Sequence, residues 1–270
     1  MIRRAFRAMG TDVELLLDAW RGDAALVAAE AEFHRLEKLL SRFRPDSELS
    51  RLNADGSIDA SPDLVRVVRL ALEAREATNG RFDPTVHDAL VAAGYDRTFD
   101  EIEAHGEVAR RIPGGGRVAI DGNRIELQPG VRIDLGGIAK GDAVDRAADV
   151  LAPAGPCLVN AGGDLAVRGG SWPVAVEHLT VLLESGAIAT SGTDRRRWTR
   201  NGREQHHLID PRTGEPARSP FLRVSAVGST AVEAEVLAKT VFLGDEAAAR
   251  RHPCVLVRAD GSVELTGGLW

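Results

Sequence analysis

The sequence predicts an α+β fold: a single mixed domain over residues 1–270, with helices packed on a largely antiparallel sheet. Three observations predict it. Short apolar runs flank tight-turn signals at Asp121-Gly122-Asn123 and Asp260-Gly261-Ser262, as in hairpins. Helical and strand-like stretches are interspersed along the chain. No repeat, low-complexity linker or domain boundary breaks the 270 residues.

The elements follow in order. Residues 1–18 read as two short strands around Met9-Gly10-Thr11. Gly22 and Asp23 open a helix, with Leu26, Ala29, Phe33, Leu36 and Leu40 at helical spacing. The stretch 41–47 interrupts it, and 47–53 makes a short turn or helical piece. Ser61-Pro62 starts a second helix, serine as cap and proline in its first turn; it runs to about Asn79, and Gly80 ends it. Residues 80–86 form a loop leading to a short helix. From about Glu107 the character turns to β, with a hairpin of 118–120 and 124–127. Later strands are expected at 157–160, 165–167, 187–190, 222–227, 255–257 and 263–265, with 206–214 a strand ending in a turn. A last helix spans 230–243 with Val232, Val236, Lys239 and Thr240 in register, its face with Val232, Val236 and Lys239 turned inward.

The centre of the chain is residues 131–151. Val131, Ile133 and Leu135 alternate with polar residues, as in a half-buried strand. Gly136 and Gly137 permit a sharp turn and close backbone approach to a ligand. Residues 139–151 read as a helix, with Ala143, Val144, Ala147, Ala148 and Leu151 on one face. Asp134 then stands at a strand end and Lys140 near a helix start, an arrangement suited to a phosphate. The competing reading is a strand–turn–helix packing unit with a solvated lysine, because a glycine pair alone is a weak motif.

Composition narrows the classes. Hydrophobic content of 44% supplies a core, 27% charged residues is ordinary, and a net charge of -6 gives no support for a nucleic-acid partner. No apolar run reaches the ~18 residues of a membrane helix, so no membrane insertion is expected. The basic start is followed too soon by Asp12 and Glu14 for a secretory signal, so the expectation is a cytoplasmic protein. Cys157 and Cys254 lie far apart in apolar settings and read as buried thiols. Only Lys38, Lys140 and Lys239 are lysines among the 34 basic residues. Lys140 and Lys239 both fall within glycine- or alanine-rich motifs.

Several motifs in order carry a family resemblance. They are Met9-Gly10-Thr11, Ser41 with Ser47-Glu-Leu-Ser-Arg-Leu-Asn53, Gly80-Arg-Phe-Asp-Pro-Thr85, 133–145, Val159-Asn-Ala-Gly-Gly-Asp164, Ala189-Thr-Ser-Gly192, His207-Leu-Ile-Asp-Pro-Arg-Thr-Gly214 and 234–244. Together they resemble the ApbE-type flavin transferases, the FAD:protein FMN transferases, over nearly the full length. The resemblance implies a single-domain ApbE-like fold that binds FAD, splits its pyrophosphate, attaches FMN to a Thr or Ser in the flavinylation motif of an acceptor flavoprotein, and releases AMP. Two alternatives stand beside it: an FAD pyrophosphatase giving FMN and AMP, and a non-catalytic FAD-binding protein.

By matching motif, the resemblance places Met9, Phe43, Phe82, Asp83, Pro84, Asp134 and Lys140 in the FAD site. Phe43 stands where the family usually has tyrosine, so the ring remains and a hydroxyl is lost. Lys140 can hold a phosphate oxygen as a point charge. Asp134 either accepts from an adenine amine or ribose hydroxyl, or stabilises a turn. His207 is the candidate base. Asp210 is its catalytic partner or a turn carboxylate before Pro211, pairing being possible if the strand ends or bends first. His206 reads as structural or solvated. The implied magnesium site takes the Gly137 carbonyl, Glu235 and position 239, where a lysine cannot be a ligand while protonated. Either magnesium binds with Lys239 turned aside, or the Lys239 ammonium takes its place. A surface ion pair with Glu235 is the third reading.

Overall fold

The computed structural model describes residues 1–102, 111–200 and 202–268. The expected onset of β character at Glu107 lies outside the described residues. The chain starts with β1 (Ile2–Ala8), β2 (Thr11–Leu17) and α1 (Asp23–Leu40). Next come α2 (Glu48–Asp55), β3 (Ser57–Asp59), α3 (Pro62–Ala77), α4 (His87–Ala92), β4 (Val118–Asp121) and β5 (Arg124–Leu127). Then follow α5 (Ala139–Leu151), β6 (Cys157–Ala161), β7 (Asp164–Val176) and β8 (Leu179–Gly192). Short strands β9 (Arg197–Arg200), β10 (Arg203–His206), β11 (Ile209–Asp210) and β12 (Glu215–Pro216) lead to β13 (Phe221–Gly228). The chain closes with α6 (Ala231–Phe242), α7 (Glu246–Arg251), β14 (Cys254–Arg258) and β15 (Val263–Thr266). The α+β class is as expected.

The described chain falls into two compact units. The first comprises Met1–Glu37, Ile138–Ser191 and Arg223–Trp270. It is built on an eight-stranded sheet of order β1-β2-β6-β7-β8-β13-β14-β15. The pairs β1–β2, β2–β6, β6–β7, β7–β8 and β14–β15 are antiparallel. The pleat sends successive side chains to opposite faces. Leu158, Leu165, Val167, Trp172, Ile188 and Val255 form one core cluster. Helix α5 packs on β6 and β7 and against α6. Its face of Ala143, Val144, Ala147, Ala148 and Leu151 is fully buried, as the spacing predicts. The β6–β7 turn is Gly162-Gly163, both at positive φ, which a tight hairpin favours and side chains resist.

The second unit comprises Lys38–Gly137 and Gly192–Leu222. Ser47 and Ser61 cap α2 and α3 by accepting from the Ser50 and Leu64 N–H groups, at 2.9 and 3.3 Å. The Gly80 N–H, at positive φ, closes the end of α3 on the Arg75 carbonyl at 2.8 Å. A three-stranded sheet of order β3-β5-β4 contains the expected hairpin. Ala89, Leu90, Ala93 and Ile209 make a small core with Tyr95 and Trp198 against it.

Three expectations need correction. Residues 131–135 form no strand. Ile133 and Leu135 are fully buried as the alternation predicts. The Ile133 backbone, however, pairs with the Asn53 side-chain amide, Oδ1 accepting its N–H and Nδ2 donating to its carbonyl, both at 2.8 Å. An amide satisfies the buried peptide that a neighbouring strand would have satisfied. Residues 206–214 are not one strand: β10 ends at His206, and His207 and Leu208 lie outside any strand before β11. On α6 the fully buried face is Ala231, Ala234, Glu235, Ala238 and Val241, while Val232, Val236 and Lys239 are half-buried. Helix α7 and strand β9 lack strong periodicity and were not expected.

Candidate functional site

In the first unit the chemistry gathers at the start of α5. Lys140, in its first turn, forms an ion pair with Asp164, whose side chain is 2% exposed. Asp164 opens β7 immediately after the Gly162-Gly163 turn, so the hairpin sets its position. Gly141 follows. A Cβ there would come within 2.9 Å of the Ala231 backbone and of Glu235 Oε2, so only glycine admits this approach of α5 to α6. The Gly141 N–H donates to Glu235 Oε2 at 3.0 Å. Glu235 Oε1 lies 3.7 Å from Lys239 Nζ, one helical turn on. Their side chains are 6% and 18% exposed, which excludes a freely solvated surface pair.

Helix α6 is held at its start as well. Thr230 caps it by accepting from the Glu233 N–H at 3.1 Å, and Asp145 of α5 accepts from the Ala231 and Val232 N–H groups at 2.9 and 3.1 Å. Burial pushes the Asp145 carboxyl above its ordinary range, although those N–H groups and Arg168 pull it down. Met9, also in this unit, sits at positive φ in the β1–β2 turn and donates its N–H to Glu37 Oε1 at 2.9 Å.

The second unit holds the remaining residues. Asp134 Oδ2 pairs with Arg42 Nε at 2.7 Å, the side chains 11% and 6% exposed respectively. Its Oδ1 accepts from the Gly136 N–H at 2.9 Å, and its own N–H donates to the Pro84 carbonyl at 2.7 Å. Asp134 thus stabilises the turn at Gly136. The Arg42 guanidinium lies over the Phe43 ring at 4.2 Å and the Tyr95 ring at 4.6 Å. Asp83 accepts from the Thr85 N–H and hydroxyl at 2.8 and 2.7 Å and pairs with Arg75 at 3.2 Å. Phe82 and Pro84 beside it are buried.

His207 lies in the break between β10 and β11, its Nδ1 3.4 Å from the Arg196 carbonyl. His206 is buried and structural: Nε2 meets the Ala217 carbonyl at 3.0 Å and Nδ1 accepts from the Leu208 N–H at 3.3 Å. Burial lowers its affinity for a proton. Asp210 binds Arg212 through the backbone N–H at 3.0 Å and the guanidinium at 2.9 and 2.8 Å. Burial raises the Asp210 carboxyl, and Arg212 outweighs it, leaving a net downward shift. Asp210 therefore holds the turn after β11.

Sequence reasoning missed Arg42, Gly141, Asp145 and Asp164. Two left a signal: Asp164 ends a glycine-turn motif, and Arg42 adjoins the aromatic position 43. The partners of Gly141 and Asp145 lie some ninety residues away in α6 and leave none locally.

The donor set does not suit a divalent ion. Glu235 offers a carboxylate, but Lys239 brings only N–H donors against it, and Gly137 closes the 38–137 segment of the second unit. Among the described residues no group of three or more His, Cys, Asp or Glu side chains could hold a metal ion. No helix among them is long and apolar enough to cross a membrane.

Residues 9–253 match the model of the ApbE family. An FAD:protein FMN transferase of Vibrio cholerae is 30% identical, the alignment covering 88% of this chain and 80% of that one. One of Haemophilus influenzae is 27% identical over 81% and 72%. The solved ApbE protein of Thermotoga maritima superposes with a TM-score of 0.84 at 24% identity, covering 98% of this chain and 96% of that one. The apo flavinyl transferase ApbE of Pseudomonas stutzeri gives 0.80 at 25% identity over 98% and 95%.

Proposed function

The chain belongs to the ApbE family, and from that premise we infer that it is an FAD:protein FMN transferase. In the reaction, a Thr or Ser hydroxyl oxygen of an acceptor flavoprotein attacks the FMN phosphorus of FAD. The bond to the bridging oxygen breaks, and AMP leaves with that oxygen. Such chemistry needs charge neutralisation and positioning more than covalent help. The observation that carries the residue assignment is the Lys140 ammonium, held by Asp164 at the glycine-flanked start of α5. There the positive end of the helix dipole and the lysine both favour an anion.

His207 takes the proton from the attacking hydroxyl; its place in a strand break, outside any ladder, supports that role. Asp210 shapes the following turn. Phe43 and Phe82 supply rings, Asp83 and Pro84 brace the loop before α4, and Asp134 and Met9 complete the FAD contacts. The family match runs through both compact units, which supports residues 1–270 acting as a single ApbE-like transferase domain. Its place is the cytoplasm, and its acceptor carries a Thr/Ser flavinylation motif.

The test is to incubate the purified protein with FAD and an acceptor flavoprotein, following AMP by chromatography and protein-bound flavin by fluorescence in a denaturing gel. AMP with bound flavin is expected. AMP with free FMN only makes the chain a pyrophosphatase, and tight FAD binding with no AMP makes it non-catalytic. Lys140→Met is expected to slow AMP release by about 10²–10³, the loss typical of one donor to developing charge. His207→Asn is expected to slow transfer by about 10²–10⁴ with little change in FAD affinity.

A further inference from the structure

We propose that the Lys239 ammonium neutralises the FAD pyrophosphate in place of a divalent cation. The proposal rests on the flavin-transferase reading and concerns how that chain carries its phosphate charge. Glu235, the carboxylate a metal would need, is already engaged on both oxygens. Oε2 takes the Gly141 N–H at 3.0 Å, and Oε1 faces Lys239 Nζ at 3.7 Å. A metal reaching Oε1 would meet a positive charge at contact range, where repulsion in a water-poor setting is strong.

The placement is built into the fold. Glycine at 141 sets the approach of α5 to α6, and Asp145 and Thr230 fix the start of α6. Glu235 and Lys239 then stand one turn apart on a held helix. The same α5 turn carries Lys140 with Asp164, so two ammonium groups and two carboxylates balance there without an ion. An ammonium has three N–H donors in tetrahedral array, so Lys239 can hold Glu235 and meet a phosphate oxygen together. Its side chain is 18% exposed, enough for a ligand to reach and too little for bulk screening. With only three lysines in an arginine-rich chain, a compact point charge here contrasts with the planar guanidinium used elsewhere.

The experiment measures FAD affinity by flavin fluorescence, in chelator and in millimolar magnesium. For the native chain, affinity is expected to agree within about twofold in the two media, and Mn2+ titration by electron paramagnetic resonance is expected to find no tight site. Lys239→Met should weaken FAD binding about tenfold in both media, as loss of one charged donor does. The double variant Glu235→Gln/Lys239→Met removes both charges and keeps an acceptor for the Gly141 N–H; it should show the same loss while folded. Lys239→Asp should bind FAD only with magnesium and should gain an Mn2+ site. Native affinity that rises about tenfold with magnesium, a tight Mn2+ site in the native chain, or unchanged affinity in the folded double variant would each overturn the proposal. Affinities that behave as expected without AMP release uphold it and strike only the transferase reading.

Discussion

Lys140 and Arg42 are both cations held against an aspartate, and they are held in opposite ways. Lys140 owes its place to the backbone: the first turn of α5 carries it, and a two-glycine hairpin presents Asp164. Arg42 owes its place to side chains. It lies in the loop after α1, its guanidinium carbon 4.2 Å from the Phe43 ring centre and 4.6 Å from that of Tyr95, and its Nε on Asp134. Their side chains are 17% and 6% exposed. A half-buried arginine between two rings acts as a clamp, whereas a lysine on a rigid frame presents a compact charge on a flexible stem. The comparison separates the pair that supports architecture from the pair suited to a phosphate.

The sharpest way to break this contrast is to remove the clamp. Arg42→Met leaves Asp134 buried without its partner and should destabilise the protein by about 3–5 kcal/mol in urea unfolding. Adding Asp134→Leu should restore much of the loss, and Arg42→Lys should not, because lysine cannot stack on the two rings. Full recovery by lysine would make Arg42 and Lys140 equivalent and end the distinction.

Next in size is the frame beneath Lys140. Gly141→Ala should cost about 1–3 kcal/mol, the usual range for overpacking, since its Cβ would strike the Ala231 backbone. The same substitution should weaken FAD binding by displacing Glu235. An alanine variant of native stability would show that the α5–α6 approach is loose.

The smallest effect sets both ion pairs against buried groups that stay neutral. Burial holds the imidazoles of His87 and His206 below their ordinary values, outweighing the Asp88 carboxylate beside His87 and the Ala217 carbonyl at His206. The unfolded chain binds these protons near pH 6.5 while the folded chain still resists them. Stability should therefore fall as the pH drops through about 6.5 and level off below the folded values. Unfolding free energies at neutral and mildly acidic pH should show the fall, and His206→Asn should flatten it. A slope unchanged by that variant would assign the acid sensitivity to His87 or to the carboxylates.

Much was determined by the sequence alone, because its signals act over a few residues. The Ser61 cap, the Gly80 stop, the Asp121-Gly122-Asn123 hairpin and the buried face of α5 all follow from spacing and turn chemistry. The order of short motifs identified the family. The tertiary structure decided the rest. Asn53 lies eighty residues from the peptide it pairs with, so no local pattern could reveal that 131–135 lies outside any ladder. Asp134 and Asp210 each had two readings in the sequence, and only the fold showed which groups meet them, Arg42 and Gly136 at Asp134 and Arg212 at Asp210. Gly141 reads locally as a helix-weakening residue; only the packing of α6 against it explains its presence. Hydrophobic period and capping are properties of a segment, whereas the partner of a buried charge is chosen by whichever distant segment the fold brings to it.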